Sequence, residues 1–128
     1  MGRKVFVSYT ATDVSLARRV AKKLEKAGLE AVLPAVTVVP GDQIMVKIAD
    51  ALRQSDAVLV IASGDSIHSA GLYSELGAAV ALRKPVYVLT HEVEPNQLPD
   101  VLRYLQRASL KHSDRYLRKL AKTLKTEA

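Results

Sequence analysis

The chain has 128 residues, 48% hydrophobic and 25% charged, with a formal net charge of +6 and a pI near 9.7. That length and balance suit one globular domain able to bury a core without staples. The absence of cysteine excludes disulfides, Cys-ligated zinc and thiol catalysis.

In chain order, Lys4–Tyr9 (KVFVSY) is short, apolar and β-branched, the pattern of a buried strand. Thr12-Asp13 offers an N-cap, and Leu16, Val20, Leu24 and Ala27 recur at helical spacing until Gly28. Glu30–Leu33 reads as a second strand, followed by a loop with an apolar centre, Val36–Val39, that closes on Pro40-Gly41. Ile44, Ile48, Ala51 and Leu52 mark the inner face of a second helix. Ala57–Ala62 (AVLVIA) is apolar throughout and predicts a central strand covered on both faces. Ser69 is placed to cap a third helix with Leu72, Leu76, Ala79 and Val80 facing inward. Pro85–Leu89 is a fourth strand, and His91–Pro99 a polar loop. A short helix then carries Val101, Leu102 and Leu105, and Ala108–Leu110 is a brief edge strand. Ser113-Asp114 begins a last helix with Leu117, Leu120 and Leu124 as its stripe; this basic segment, 113–125, either packs on the domain or leads toward a further one.

Strands alternating with helices predict an α/β fold, a parallel sheet with helices on both faces and ligands beyond the carboxyl ends of the strands. The loops after Val7, Leu33, Ala62 and Leu89 are therefore the places to look. No apolar run reaches the ~20 residues of a membrane span. The N-terminus also lacks an apolar leader, so a cytoplasmic protein without membrane contact is the expectation. The cations crowd the first and last helices opposite the apolar stripes, which reads as a solvated face. Aromatic residues are only 5%, too few for a base-stacking platform, so nucleic acid is not the expected partner.

Several chemistries fail on spacing. The six glycines never form G-x-G-x-x-G, the P-loop pattern is missing, and the loops after the first and third strands lack the clustered aspartates of a magnesium pocket. No metal and no cofactor are expected. Ser8, Tyr9 and Thr10, between a strand and a helix N-terminus, are candidates for touching a ligand: the hydroxyls of Ser8 and Thr10 for a phosphate, the Tyr9 ring for a base.

Five fragments in one order resemble the bacterial TIR-domain family. Val5-Phe6-Val7-Ser8-Tyr9 resembles its first-strand box, and Ala21-Lys22-Lys23-Leu24 its A-x-x-L helix. Val39-Pro40-Gly41-Asp42 resembles the P-G that closes its mobile loop, and IADALRQSDAVLV (48–60) the stretch before its central strand. Ser69-Ala70-Gly71-Leu72-Tyr73-Ser74-Glu75 is similar to S-x-W-x-x-x-E, with Gly71 where the family has tryptophan. The resemblance runs strongly from Lys4 to Leu89 and implies a flavodoxin-like three-layer fold around a central parallel five-stranded sheet, in a single domain over 1–128. It further implies an NAD⁺ glycohydrolase or cyclase that cuts the nicotinamide–ribose bond, activated by self-assembly and serving bacterial defence, with Glu75 as the catalytic carboxylate.

Ser63, Ser69 and Tyr73 are the remaining substrate-contact candidates, Tyr73 as a wall for the nicotinamide. The resemblance implies that Val36, Val38, Val39, Pro40 and Gly41 pack head-to-tail on a second copy, the plain alternative being that the valines extend the second strand, and a sensor domain, fused or separate, is a further implied partner. Helix geometry puts Glu75 about 60° from Leu72, at the border of the buried stripe. The plain alternative is a surface glutamate paired with Arg83 or a lysine. Two other readings stay open: a non-catalytic TIR interaction scaffold and, more distantly, a flavodoxin-like carrier or nucleoside deoxyribosyltransferase.

Overall fold

A computed structural model describes residues 3–34 and 44–126. Five strands, β1 (Lys4–Ser8), β2 (Glu30–Val32), β3 (Ala57–Ser63), β4 (Val86–His91) and β5 (Arg107–Ser109), form one sheet in the order β2-β1-β3-β4-β5. Every neighbouring pair is parallel. Five helices join them: α1 (Val14–Lys26), α2 (Ile44–Gln54), α3 (Ala70–Ala81), α4 (Asp100–Arg103) and α5 (Asp114–Thr126). The expected α/β sheet is what forms.

Period-two alternation sends each strand's side chains to opposite faces, and here both faces are dry. Val5 and Val7 of β1 join Leu59 and Ile61 of β3 in a core closed by α1 and α5. Phe6, Val58, Val60 and Val88 point the other way, to Leu52 of α2, Leu72 and Leu76 of α3, and Leu102 of α4. All seven residues of β3 are buried, so the apolar run at 57–62 is the centre of both cores. Fully burying a side chain of the Leu or Phe class contributes about 1.5–3 kcal/mol.

Local chemistry sets the ends. Gly28, at φ +87°, turns the chain after α1, a conformation that a Cβ would strain. Arg83 takes a left-handed conformation (φ 58°) just past α3. The last helix packs against α1, where Lys23 pairs with Asp114 at 2.8 Å and Lys125 donates to the Ala27 carbonyl.

Four expectations shift. The fourth strand runs on through Thr90 and His91, because both continue in register with Ala62 and Ser63 and backbone pairing does not require apolar side chains. The edge strand is Arg107–Ser109, one residue earlier than read. Val80 is 60% exposed and Val101 50%: Leu72, Leu76 and Ala79 already fill the sheet-facing side of α3, and Leu102 is the inward residue of α4. Asp13, the residue before α1, makes no side-chain cap bond, and Thr12 bonds the Thr10 hydroxyl instead. Among the described residues, no helix is long and apolar enough to cross a membrane.

Candidate active site

The strand order changes direction between β1 and β3. The chain leaves β1 toward α1 on one face and leaves β3 toward α3 on the other. Two diverging loops leave a crevice at such a point, and here hydrogen bonds hold them in shape. Asp13, only 7% exposed, accepts from Ser63 Oγ at 2.6 Å and from Thr10 Oγ1 at 3.3 Å. Ser66 Oγ donates to the Ile61 carbonyl at 2.7 Å and accepts from the Ser63 backbone N–H at 2.7 Å. The Ser66 N–H closes the turn on Ser63 Oγ.

That turn launches α3. Ser69 Oγ accepts from the Leu72 N–H at 3.3 Å, the side-chain cap expected from sequence, and Tyr73 OH donates to the Ile67 carbonyl at 2.6 Å. Glu75 follows within the same helix and is its one charged residue. Its Oε2 is buried and, among the described residues, has no hydrogen-bond partner. The ion pair with Arg83 or a lysine that a surface role would predict does not form among the described residues. Burial pushes the Glu75 carboxyl up to about 7, because desolvation disfavours the charged form.

Tyr9 lies within electrostatic reach. Burial raises its pKa, the Arg18 charge lowers it, and the Glu75 carboxylate raises it again. Its hydroxyl donates to the Pro34 carbonyl at 3.0 Å, which fixes the ring between the ends of β1 and β2. Ser8, next in the chain, is fully buried, and among the described residues its Oγ also lacks a partner. An unpaired buried polar group costs about 1–3 kcal/mol, and such groups call for a physical reason. This carboxylate and this hydroxyl keep hydrogen-bonding capacity that no described residue uses.

The sequence candidates thus separate. Tyr9 and Glu75 come together, with Ser8 beside Tyr9 in the chain. Thr10 and Ser63 hold Asp13, Ser69 starts α3, and the Tyr73 hydroxyl is taken by backbone. Val36, Val38, Val39, Pro40 and Gly41 lie outside the described residues. Asp13 and Ser66 are the members that sequence reading missed. The Ser63-x-x-Ser66 spacing was the available sign, since short hydroxyl side chains at that interval bond local backbone. A cleft of about 720 Å³ opens beyond β4 and β5, but Glu75 does not line it. The two buried oxygens without a partner among the described residues belong to Ser8 and Glu75, and neither residue lines this cleft.

The family model for the TIR domain matches residues 5–124, and the chain belongs to that family. It is 27% identical over 97 residues to a probable 2' cyclic ADP-D-ribose synthase of Brachypodium distachyon. The match covers 74% of this chain and 43% of the plant protein, so the chain spans less than half the length of that relative. Among solved structures it is similar to the TIR domain of the Toll-related receptor TRR-2 from Hydra magnipapillata. There the TM-score is 0.72 at 20% identity, over 94% of this chain and 97% of that one. A metazoan TIR-STING receptor from C. gigas gives 0.73 at 22% identity, over 90% of this chain and 38% of the receptor.

Proposed function

We propose, from its place in the TIR family, that this chain cleaves NAD⁺ at the nicotinamide–ribose bond, with Glu75 at the reacting centre. The observation that carries the reading is a half-buried carboxylate with one oxygen dry and unbonded. The plant relative's name, a probable cyclic ADP-ribose synthase, supports the substrate class.

The chemistry asks little of the protein. Glycosidases acting on sugars linked through oxygen use two carboxylates, one to protonate the departing group. Nicotinamide in NAD⁺ is already cationic, so the N-glycosidic electron pair returns to its ring nitrogen and it departs neutral with no acid required. Positive charge then grows on the ribose ring. A carboxylate in a partly dry crevice stabilises that charge more strongly than one in water would. Water completes the hydrolysis by adding at the anomeric carbon and losing a proton, which an ionised Glu75 can accept. A pKa near 7 suits a group that must be charged to stabilise and basic enough to take a proton. Capture by a nucleophile on the adenosine part instead of water gives a cyclic product. Tyr9 offers a ring for stacking, and Ser8 Oγ an unspent hydroxyl. Activation by head-to-tail assembly through residues 36–41, and a role in bacterial defence, belong to the same reading.

The test is nicotinamide release from NAD⁺ by concentrated protein. Glu75→Ala should lower kcat by roughly 10²-fold or more, the scale on which removing a charge-stabilising group acts. Specific activity should rise with protein concentration. Turnover that survives Glu75→Ala removes the residue from the mechanism. An assembled protein without any turnover leaves an interaction scaffold in place of an enzyme.

A further inference from the structure

The cleft beyond β4 and β5 is lined by none of the residues gathered around Glu75 and has its own chemistry. Its volume, about 720 Å³, lies in the range of small-molecule pockets. Three cations from three elements line it: Arg19 of α1, Arg107 of β5 and Lys111 of the turn that follows β5. Among the described residues, none of the three forms an ion pair with a carboxylate. Arg107 donates to the Arg103 carbonyl through one guanidinium nitrogen, which leaves guanidinium donors over.

The segment leaving β4 supplies the complement. Glu92 and Glu94 line the same cleft, and the loop that carries them is shaped rather than slack. Glu92 is held at φ 53°, a left-handed conformation uncommon outside glycine, and strain of this kind collects at binding sites. Gln97 Oε1 accepts from the Glu94 N–H at 2.8 Å and pins the next turn. Half-buried Val93 and buried Leu98 give the cleft an apolar wall.

We propose that this cleft is a second ligand site and that it takes a nucleoside phosphate. Unpaired guanidinium and ammonium groups recognise phosphate, carboxylates recognise ribose hydroxyls as they do in dinucleotide folds, and an apolar wall accepts a base. Inorganic phosphate would engage the three cations and leave Glu92, Glu94 and the apolar wall without a partner, and an acidic peptide would bring no hydroxyls for the two carboxylates. A ligand with a hydroxylated sugar between its phosphate and its base satisfies every group at once. The site does not depend on the NAD⁺ reading, because no residue is shared with the Glu75 crevice.

The experiment is a calorimetric titration with AMP, and with adenosine as the uncharged control, on the wild type and on Glu75→Ala, Lys111→Glu and Arg107→Glu. AMP should bind to the wild type and equally to Glu75→Ala. Adenosine should bind about tenfold more weakly or worse, as expected when a charge-assisted contact is lost. Lys111→Glu should weaken AMP by about tenfold or more, and added salt should do the same in the wild type. Circular dichroism reports whether Arg107→Glu stays folded; Lys111, whose side chain makes no hydrogen bond or ion pair among the described residues, carries the test if it does not. Three results would overturn the site: no AMP binding up to roughly 1 mM, equal affinity for adenosine, or binding that vanishes in Glu75→Ala while Lys111→Glu keeps it.

Discussion

The two helical layers on this sheet are built on opposite plans. On one side, α1 and α5 each carry five cations and one acid, so together they hold a net +8 where the whole chain has +6. Their inner stripes, Val20 and Leu24 on α1 and Leu117, Leu120 and Leu124 on α5, are buried. On the other side, α3 is small and apolar almost all round, with Glu75 as its only charge. The basic layer is a wall whose outer surface faces water. The layer that α3 forms places its lone carboxylate at the border of the core, where charge is expensive. The two layers thus place charge differently, outward on one side and at the edge of the core on the other.

Core and site substitutions measure that contrast. Phe6→Ala, which empties a fully buried position in the α3-side core, should cost about 3–5 kcal/mol in urea denaturation. A loss under 1 kcal/mol would mean that this core is looser than its burial implies. Asp13→Ala removes the buried acceptor of Ser63 and Thr10 and should cost about 2 kcal/mol, on the scale of hydrogen bonds to charged groups. Asp13→Ala should also lower nicotinamide release, because the turn that starts α3 loses its anchor.

Glu75→Gln should act in the opposite sense. The folded-state pKa of about 7 lies above the ordinary 4.5, so the native state holds its proton more tightly than the unfolded chain. Stability from this group is fully present below pH ~4.5 and is lost as pH rises through about 7. At pH 8 the Gln variant should therefore be more stable by ~2 kcal/mol, allowing for the solvent that reaches part of the group. The gain should disappear at pH 4. A Gln variant less stable than the wild type at pH 8 would show that the carboxylate has a partner in solution. The smallest effect is expected at Gly71. A Cβ there meets only Ser69 Oγ, at an ordinary 3.6 Å, so Gly71→Ala should raise stability by roughly 0.5 kcal/mol. A loss instead would point to a backbone need at that position.

The basic layer was legible because its periodicity is strong: alternating stripes of Leu and Lys on α1 and α5 permit one orientation. The strands were legible from their apolar runs, and Ala57–Ala62 could only be central. What pattern could not position was the α3 layer. Val80 looks as apolar as Ala79, and only the fit against the sheet decides that one faces in and the other out. The polar end of β4 reads as loop in the sequence because Thr90 and His91 carry no apolar signal, yet β3 pairs with both. Asp13 passed for a helix cap, since nothing local announces a partner fifty residues away at Ser63. Glu75 is singled out in the sequence by its motif alone. Its buried, unbonded oxygen is a tertiary fact with no sequence signature.

The Asp13–Ser63 bond carries a mechanical implication. Asp13 is the last residue before α1, and Ser63 is the last of the strand that feeds α3. One short contact thus rivets together two segments that travel to opposite sides of the sheet. Cutting that bond, as in Asp13→Ala, would therefore loosen the entry to α1 and the turn that leads to α3 together.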